Sequence, residues 1–168
     1  GFPPDFFTDV HVRKGFAYCM NYTEFLAIAY LGEAVYPATP AIQGLPYRRS
    51  DAWYAEHQYM LDLAKAEEEF KLAWGGELWE TGFTLPLRYG TGHLPRKTIA
   101  EMLETNVELL NPKFNIDVYE VECDILPDIW SGWATAFFIG WPLFIGWLAD
   151  YPDPHNFFHP FMYSPGAY

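Results

Sequence analysis

Apolar residues recur at helical spacing in the first part of the chain. Val12, Phe16, Cys19 and Met20 fall on one side of a 3.6-residue period, and Thr8 or Asp9 stands ahead of them as an N-cap. "NYTE" at 21–24 resembles a capping box, with Asn21 in the cap place and Glu24 three positions later. The helix it opens ends at Leu31, before Gly32. A loop rich in Pro and Gly follows from 34 to about 50. Asp62 then caps a third helix that turns Leu63, Ala66, Phe70 and Ala73 inward and the acids Glu67, Glu68 and Glu69 largely toward solvent. Gly75 and Gly76 close it.

After Gly82 the period changes. "FTLPLRY" at 83–89 and "FNIDVYEVE" at 114–122 read as strands. Between them "PRKTIAEMLETNVELL" at 95–110 is an amphipathic helix with Ile99, Leu103, Val107 and Leu110 inward, Pro95 in its first turn and Pro112 just past its end. The charge-free stretch 129–149 has the length of a membrane span. It does not read as one, because Gly132, Gly140, Pro142 and Gly146 interrupt it, Asp128 and Asp150 flank it, and no Lys or Arg stands nearby to orient it. It divides instead into a loop or short helix at 130–135 and a buried strand at 143–146. The succession of strand, helix, strand, crossover and strand predicts an α/β fold with a mainly parallel sheet and flanking helices. Ligands of such sheets sit beyond the carboxyl ends of the strands. That rim would carry 89–92, Cys123 with Asp124, and 147–150, which makes Tyr89, Thr91, Trp147 and Asp150 the candidate ligand-binding residues.

Composition narrows the function. With 168 residues and 51% hydrophobic positions the chain has material for one domain and a core. Its 22 acids against 10 bases give a net charge of −12, which excludes nucleic acid as a partner because phosphate binding rests on Lys and Arg. Cys19 and Cys123 match no metal pattern; they pair, or they are small buried hydrophobes. His155 and His159 share the i, i+4 spacing of zinc ligands, but "HNFFH" lacks the glutamate of HExxH and Pro160 follows at once, so the pair is structural or superficial. Glu77 and Glu80 beside Trp79 are the nearest approach to a glycosidase carboxylate pair, yet "GGELWETG" reads as an exposed connector. No Ser or Cys has neighbours that suggest a nucleophile. On these residues the enzyme readings fail, and no enzyme, cofactor or metal is expected.

Four stretches carry a resemblance: "DVHVRKGFAYCMNYTEFL" (9–26), "DLAKAEEEFKLA" (62–73), "GFTLPLRYGTGHLPRKTIAEMLETNV" (82–107) and "GWLADYPDPHNFFHPFMYS" (146–164). In this order and spacing the chain resembles the oligopeptide and dipeptide type of extracellular solute-binding protein that serves ABC importers. The GW-x-x-D-YPDP-x-NF element is the specific part. The resemblance implies a periplasmic-binding-protein-like lobe, incomplete here, with 1–168 a single partial domain from the second, C-terminal lobe of a two-lobe clamp. It implies a first lobe outside this chain, an ABC permease as partner, and an extracellular or periplasmic protein attached to the cell membrane.

In peptide-binding relatives the position of Asp150 meets the solute's α-ammonium, and a carboxylate in a closing cleft suits that role. The competing reading makes Asp150 the cap of the "DYPDP" turn. Trp147 reads equally as a stacking surface or a core aromatic. Asp153, Pro154 and Asn156 shape the turn and cap the helix after it. Phe144 stands where some peptide binders have arginine, and Asn21 where aspartate is common. The missing arginine and the seven tryptophans keep an oligosaccharide, such as a β-linked glucoside, as the alternative to a peptide solute. A single lobe would also leave Trp147, Phe157, Phe158 and Phe161 open, so self-association of this chain is expected.

Overall fold

In the computed structural model, which describes residues 5–36, 44–46, 48–121 and 153–162, the two predicted strands pair in parallel. β1 is Phe83–Gly90 and β2 is Phe114–Val121, in register from Phe83 opposite Phe114 to Gly90 opposite Val121. Burial follows the period of two that a sheet with one covered face requires. Phe83, Leu85, Leu87 and Tyr89 of β1 are buried, as are Phe114 and Ile116 of β2. Parallel neighbours need a crossover, and the helix Leu94–Glu108 supplies it. Its Ile99, Leu103 and Val107 are buried as their spacing predicts, while Leu110 lies past the helix end and packs against the core half-buried. Glu108 also accepts the Ile116 N–H at 2.9 Å, so this helix satisfies a backbone donor of β2.

The strands begin where only glycine fits. Gly82 has φ +71°, and a Cβ there would lie 2.3 Å from the Lys113 carbonyl oxygen. Asn111, itself buried, fixes the other side of this junction by donating to the Trp79 carbonyl at 2.9 Å and accepting from the Lys113 N–H at 3.0 Å.

Four earlier helices are α1 (Val10–Tyr18), α2 (Tyr22–Tyr30), α3 (Asp51–His57) and α4 (Leu63–Leu72). Of the two proposed caps for α1, Asp9 is the one used: its Oδ1 accepts from His11 N at 2.6 Å and Val12 N at 3.4 Å. Its Oδ2 accepts from Trp74 N at 2.8 Å, so one carboxylate joins the start of α1 to the 3-10 turn Ala73–Gly76 after α4. Burial pushes the Asp9 carboxyl up, but the three N–H donors outweigh it and hold the group below its ordinary 3.8. Asn21 caps α2 by accepting from Glu24 N at 3.2 Å, and the reciprocal bond runs from its amide to the Glu24 carboxylate at 2.8 Å. Leu31 ends α2 in a left-handed conformation, φ 53°. Asp62 caps α4 by accepting from Lys65 N at 3.0 Å.

Two expectations need correction. The acid run of α4 is not wholly a solvated face: Glu69 is 17% exposed and receives His11 Nδ1 at 2.6 Å and Lys14 Nζ at 3.3 Å, because α1 presents both basic groups across the contact. The "GGELWETG" connector folds into a short helix, α5 (Glu77–Thr81), with α6 the crossover helix Leu94–Glu108. Leu78 is buried and Trp79 meets the Phe114 ring edge-on at 5.5 Å, while Glu77 and Glu80 are exposed as expected. The helix α3 has no counterpart in the sequence reading. Ser50 caps it, accepting from Trp53 N at 3.3 Å. A last helix, α7, is Pro154–Met162, and Asp153 caps it as predicted, accepting from His155 N at 2.8 Å.

By contacts the chain divides into two units, Gly1–Ala34 with Met60–Phe144, and Val35–Tyr59 with Ile145–Tyr168. The core of the first is aromatic. Phe70 is fully buried, 5.4 Å from the Phe16 ring centre and 5.2 Å from that of Phe114, and Phe83 lies 4.6 Å from Phe114. Cys19 is a free buried thiol, pushed up to about 12 by burial, and is thus an inert core group. Its proposed partner Cys123, the strand at 143–146, the segment 130–135 and the apolar stretch 129–149 lie outside the described residues. Among the described residues no helix is long and apolar enough to cross a membrane.

Two outcomes follow for stability. A Cβ at Gly15 would lie 2.8 Å from the Phe70 ring, which has no room to withdraw. Gly15→Ala therefore loses about 1–3 kcal/mol to overpacking, more than the ~1 kcal/mol that alanine gains in helix propensity, and lowers the denaturation midpoint. Asp9→Ala should cost about 1–2 kcal/mol at neutral pH, the worth of a cap. Because the folded-state pKa is depressed, this contribution is complete above the unfolded value and disappears as pH falls through the folded one. The difference between the thermal melts of the two proteins should begin to shrink only as pH falls below about 4 and should vanish below the folded-state pKa.

Candidate functional site

Parallel pairing carries the ends of β1 and β2 to one rim. Beyond the last register pair, Thr91 closes the strands: its backbone N–H donates to the Val121 carbonyl at 2.8 Å and its hydroxyl to the same oxygen at 3.1 Å. Gly92 turns the chain at φ +75° with open space where a side chain would stand. The His93 N–H returns to the Gly90 carbonyl at 3.0 Å, and the His93 ring accepts from Arg96 N at 3.4 Å as the cap of α6. The segment 89–92 is thus a rigid strand-to-helix turn at the carboxyl end of the sheet, where such folds present ligand contacts.

Of the four candidate residues, the described region contains two, and it brings them to this one turn. Tyr89 lies opposite Glu120 and is only 9% exposed, continuing the buried face of β1. Thr91 is exposed, though its hydroxyl already donates to the backbone. Trp147 and Asp150 lie outside the described residues, as do Cys123 and Asp124. The neighbouring motif residue Asn156 is buried on α7.

The second unit holds a cluster that the sequence reading did not single out. Trp53 of α3 stacks on His57 at 3.9 Å and 13°, and the Arg49 guanidinium lies 5.4 Å from the Trp53 ring centre. The signal was in the sequence: Ser50 with Asp51 marks a helix start, and Trp53 and His57 have the i, i+4 spacing of helix neighbours. The His155 and His159 rings, 4.7 Å apart, are exposed on α7. Among the described residues no group of three or more His, Cys, Asp or Glu side chains is arranged to hold a metal ion.

This parallel sheet with flanking helices is the architecture of a periplasmic-binding-protein-like lobe. The chain belongs to the bacterial extracellular solute-binding proteins, family 5, whose middle part matches residues 4–168. No curated protein matches it. Among solved structures, that of the peptide-binding protein of a peptide ABC transporter superposes with a TM-score of 0.71 at 21% identity, over 98% of this chain and 71% of that one. The pheromone receptor PrgZ, described with its mode of peptide binding, gives 0.71 at 17% identity, over 93% of this chain and 30% of the receptor. The periplasmic binding protein DppA from Helicobacter pylori, in complex with the peptide STSA, gives 0.59 at 22% identity, over 91% and 27%. At these identities the likeness is one of fold. The chain spans less than a third of the pheromone receptor and of DppA.

Proposed function

We propose that this chain is part of the second lobe of the solute-binding component of an ABC importer, and that its solute is a peptide. The observation that carries the reading is the family match over residues 4–168. The similar folds described as peptide-binding support a peptide over an oligosaccharide. The role is capture, not catalysis: two lobes close on the solute, and the closed form is the one a membrane permease recognises. The protein works outside the cytoplasmic membrane, attached to it.

Within the cleft, Asp150 takes the α-ammonium of the peptide, Trp147 lies along its backbone or first side chain, and Tyr89 with Thr91 forms the part of the wall built on the sheet rim. A charge-assisted hydrogen bond in a closed cleft contributes roughly 1.5–3 kcal/mol. Asp150→Asn in the full-length protein should weaken peptide binding by about that amount in calorimetry and leave the melting temperature nearly unchanged. Lost stability at unchanged affinity would make Asp150 a turn cap instead. With an oligosaccharide the order inverts, and Trp147→Ala does the greater damage.

The chain on its own should bind peptide no better than millimolar. One lobe leaves half of the solute in water, where an exposed ion pair contributes about 0–1 kcal/mol, against at least ~4 kcal/mol of lost translational and rotational freedom. Micromolar binding by residues 1–168 in a peptide titration would overturn the clamp.

A further inference from the structure

Pro160 does not end α7, which runs from Pro154 to Met162, so His155 and His159 stand one turn apart on a continuous helix. Both are exposed, and their ring centres lie 4.7 Å apart with the planes tilted by 31°. The helix that carries them is fixed at its start. The Asp153 carboxylate accepts the His155 N–H at 2.8 Å, the Asn156 N–H donates to the Asp153 carbonyl at 3.0 Å, and the Asn156 side chain is buried.

The lack of a glutamate in "HNFFH" removes the general base of a zinc protease, not the capacity to hold an ion. Neutral imidazole is the commonest protein ligand of transition metals. A metal about 2 Å from one nitrogen of each ring stands about 3.2 Å from each ring centre. With those centres 4.7 Å apart, the angle at the ion comes to roughly 95°. That is the angle between adjacent positions of a square-planar or octahedral ion, the geometry of Cu(II) and Ni(II), and it falls short of the tetrahedral angle that zinc prefers. Rotation about Cβ–Cγ turns either nitrogen toward a common point without displacing the ring centre, so the backbone need not move. The net charge of −12 adds a field that draws cations.

We infer that His155 and His159 chelate one divalent transition-metal ion, Cu(II) or Ni(II), through one ring nitrogen each, with water in the remaining positions. The inference goes beyond the peptide reading and does not depend on it.

The test is a titration of the full-length protein with copper(II) chloride or nickel(II) chloride alone, followed by calorimetry and by the histidine ring resonances. In wild-type protein the resonances that are missing from His155→Gln and from His159→Gln should broaden together with the first Cu(II) added. Either single substitution should weaken this site by at least about tenfold, because a linked second ligand multiplies the affinity of the first. The double variant should lose the same one ion and no second. Both rings are exposed, so without metal the variants should melt like wild type, and with Ni(II) only wild type should gain in melting temperature. Wild-type protein whose two ring resonances do not respond overturns the inference. So do Cu(II) and Ni(II) binding that neither substitution changes, losses that add up to one ion per histidine, and Zn(II) held more tightly than Ni(II).

Discussion

The ring of Phe70 stands where the backbone of α1 has no side chain. A Cβ at Gly15 would lie 2.8 Å from that ring, so α1 and α4 approach through the single residue that leaves the space open. Everything else in the first unit is arranged around this contact. From the same ring the aromatic core continues to Phe16, Phe83 and Phe114, which joins both helices to both strands in one packed cluster. The polar bonds then fix what the packing brings close. Asp9 links the start of α1 to the turn after α4, and Glu69 near the end of α4 gathers His11 and Lys14 of α1. Such bonds are worth little unless the partners are already positioned, and the core positions them.

The same core decides where function can lie. With β1 and β2 parallel, their carboxyl ends share a rim, and the crossover through α6 keeps the opposite ends occupied by the Gly82 and Lys113 junction. The rim turn is stiff because its polar groups are spent internally: Thr91 gives both its donors to Val121. A turn so bonded changes shape only by giving up those hydrogen bonds.

Much of this was legible in the sequence where one force dominated. The period of two in β1 and at the start of β2 and the caps at Asp9, Asn21 and Asp62 survive in the structure because burial and capping are local consequences of residue type. The failures have equally physical causes. Glu69 looked solvated because its neighbours in sequence are acids, whereas its neighbours in space are His11 and Lys14, 58 and 55 positions away by number. The helix α5 was hidden by the glycines before it, since Gly75 and Gly76 supply left-handed turns that let a new helix start at once, and Leu78 then anchors it. The cluster on α3 was hidden inside a segment judged by its prolines. Of the four candidate residues, Tyr89 and Thr91 fall at the carboxyl end of β1 as the strand assignment implied, but the sequence did not show that the Thr91 hydroxyl serves the backbone.

A TM-score of 0.71 at 17% identity shows that this fold survives the exchange of most side chains. What must persist is a pattern: apolar residues at period two in the strands and at 3.6 in the helices, with a donor or acceptor wherever a helix begins. Within that pattern apolar residues of similar volume exchange at small cost. The side chains that meet a solute are under no such constraint from the core, so one scaffold can change its cargo without changing its shape. The contrast between Arg48 and Arg49 is an instance within two adjacent residues. Arg48 is half-buried, tied to Asp51 and laid on Tyr54, and so belongs to the scaffold. Arg49 is exposed and lies over Trp53, so changing it would alter the surface and little of the fold beneath.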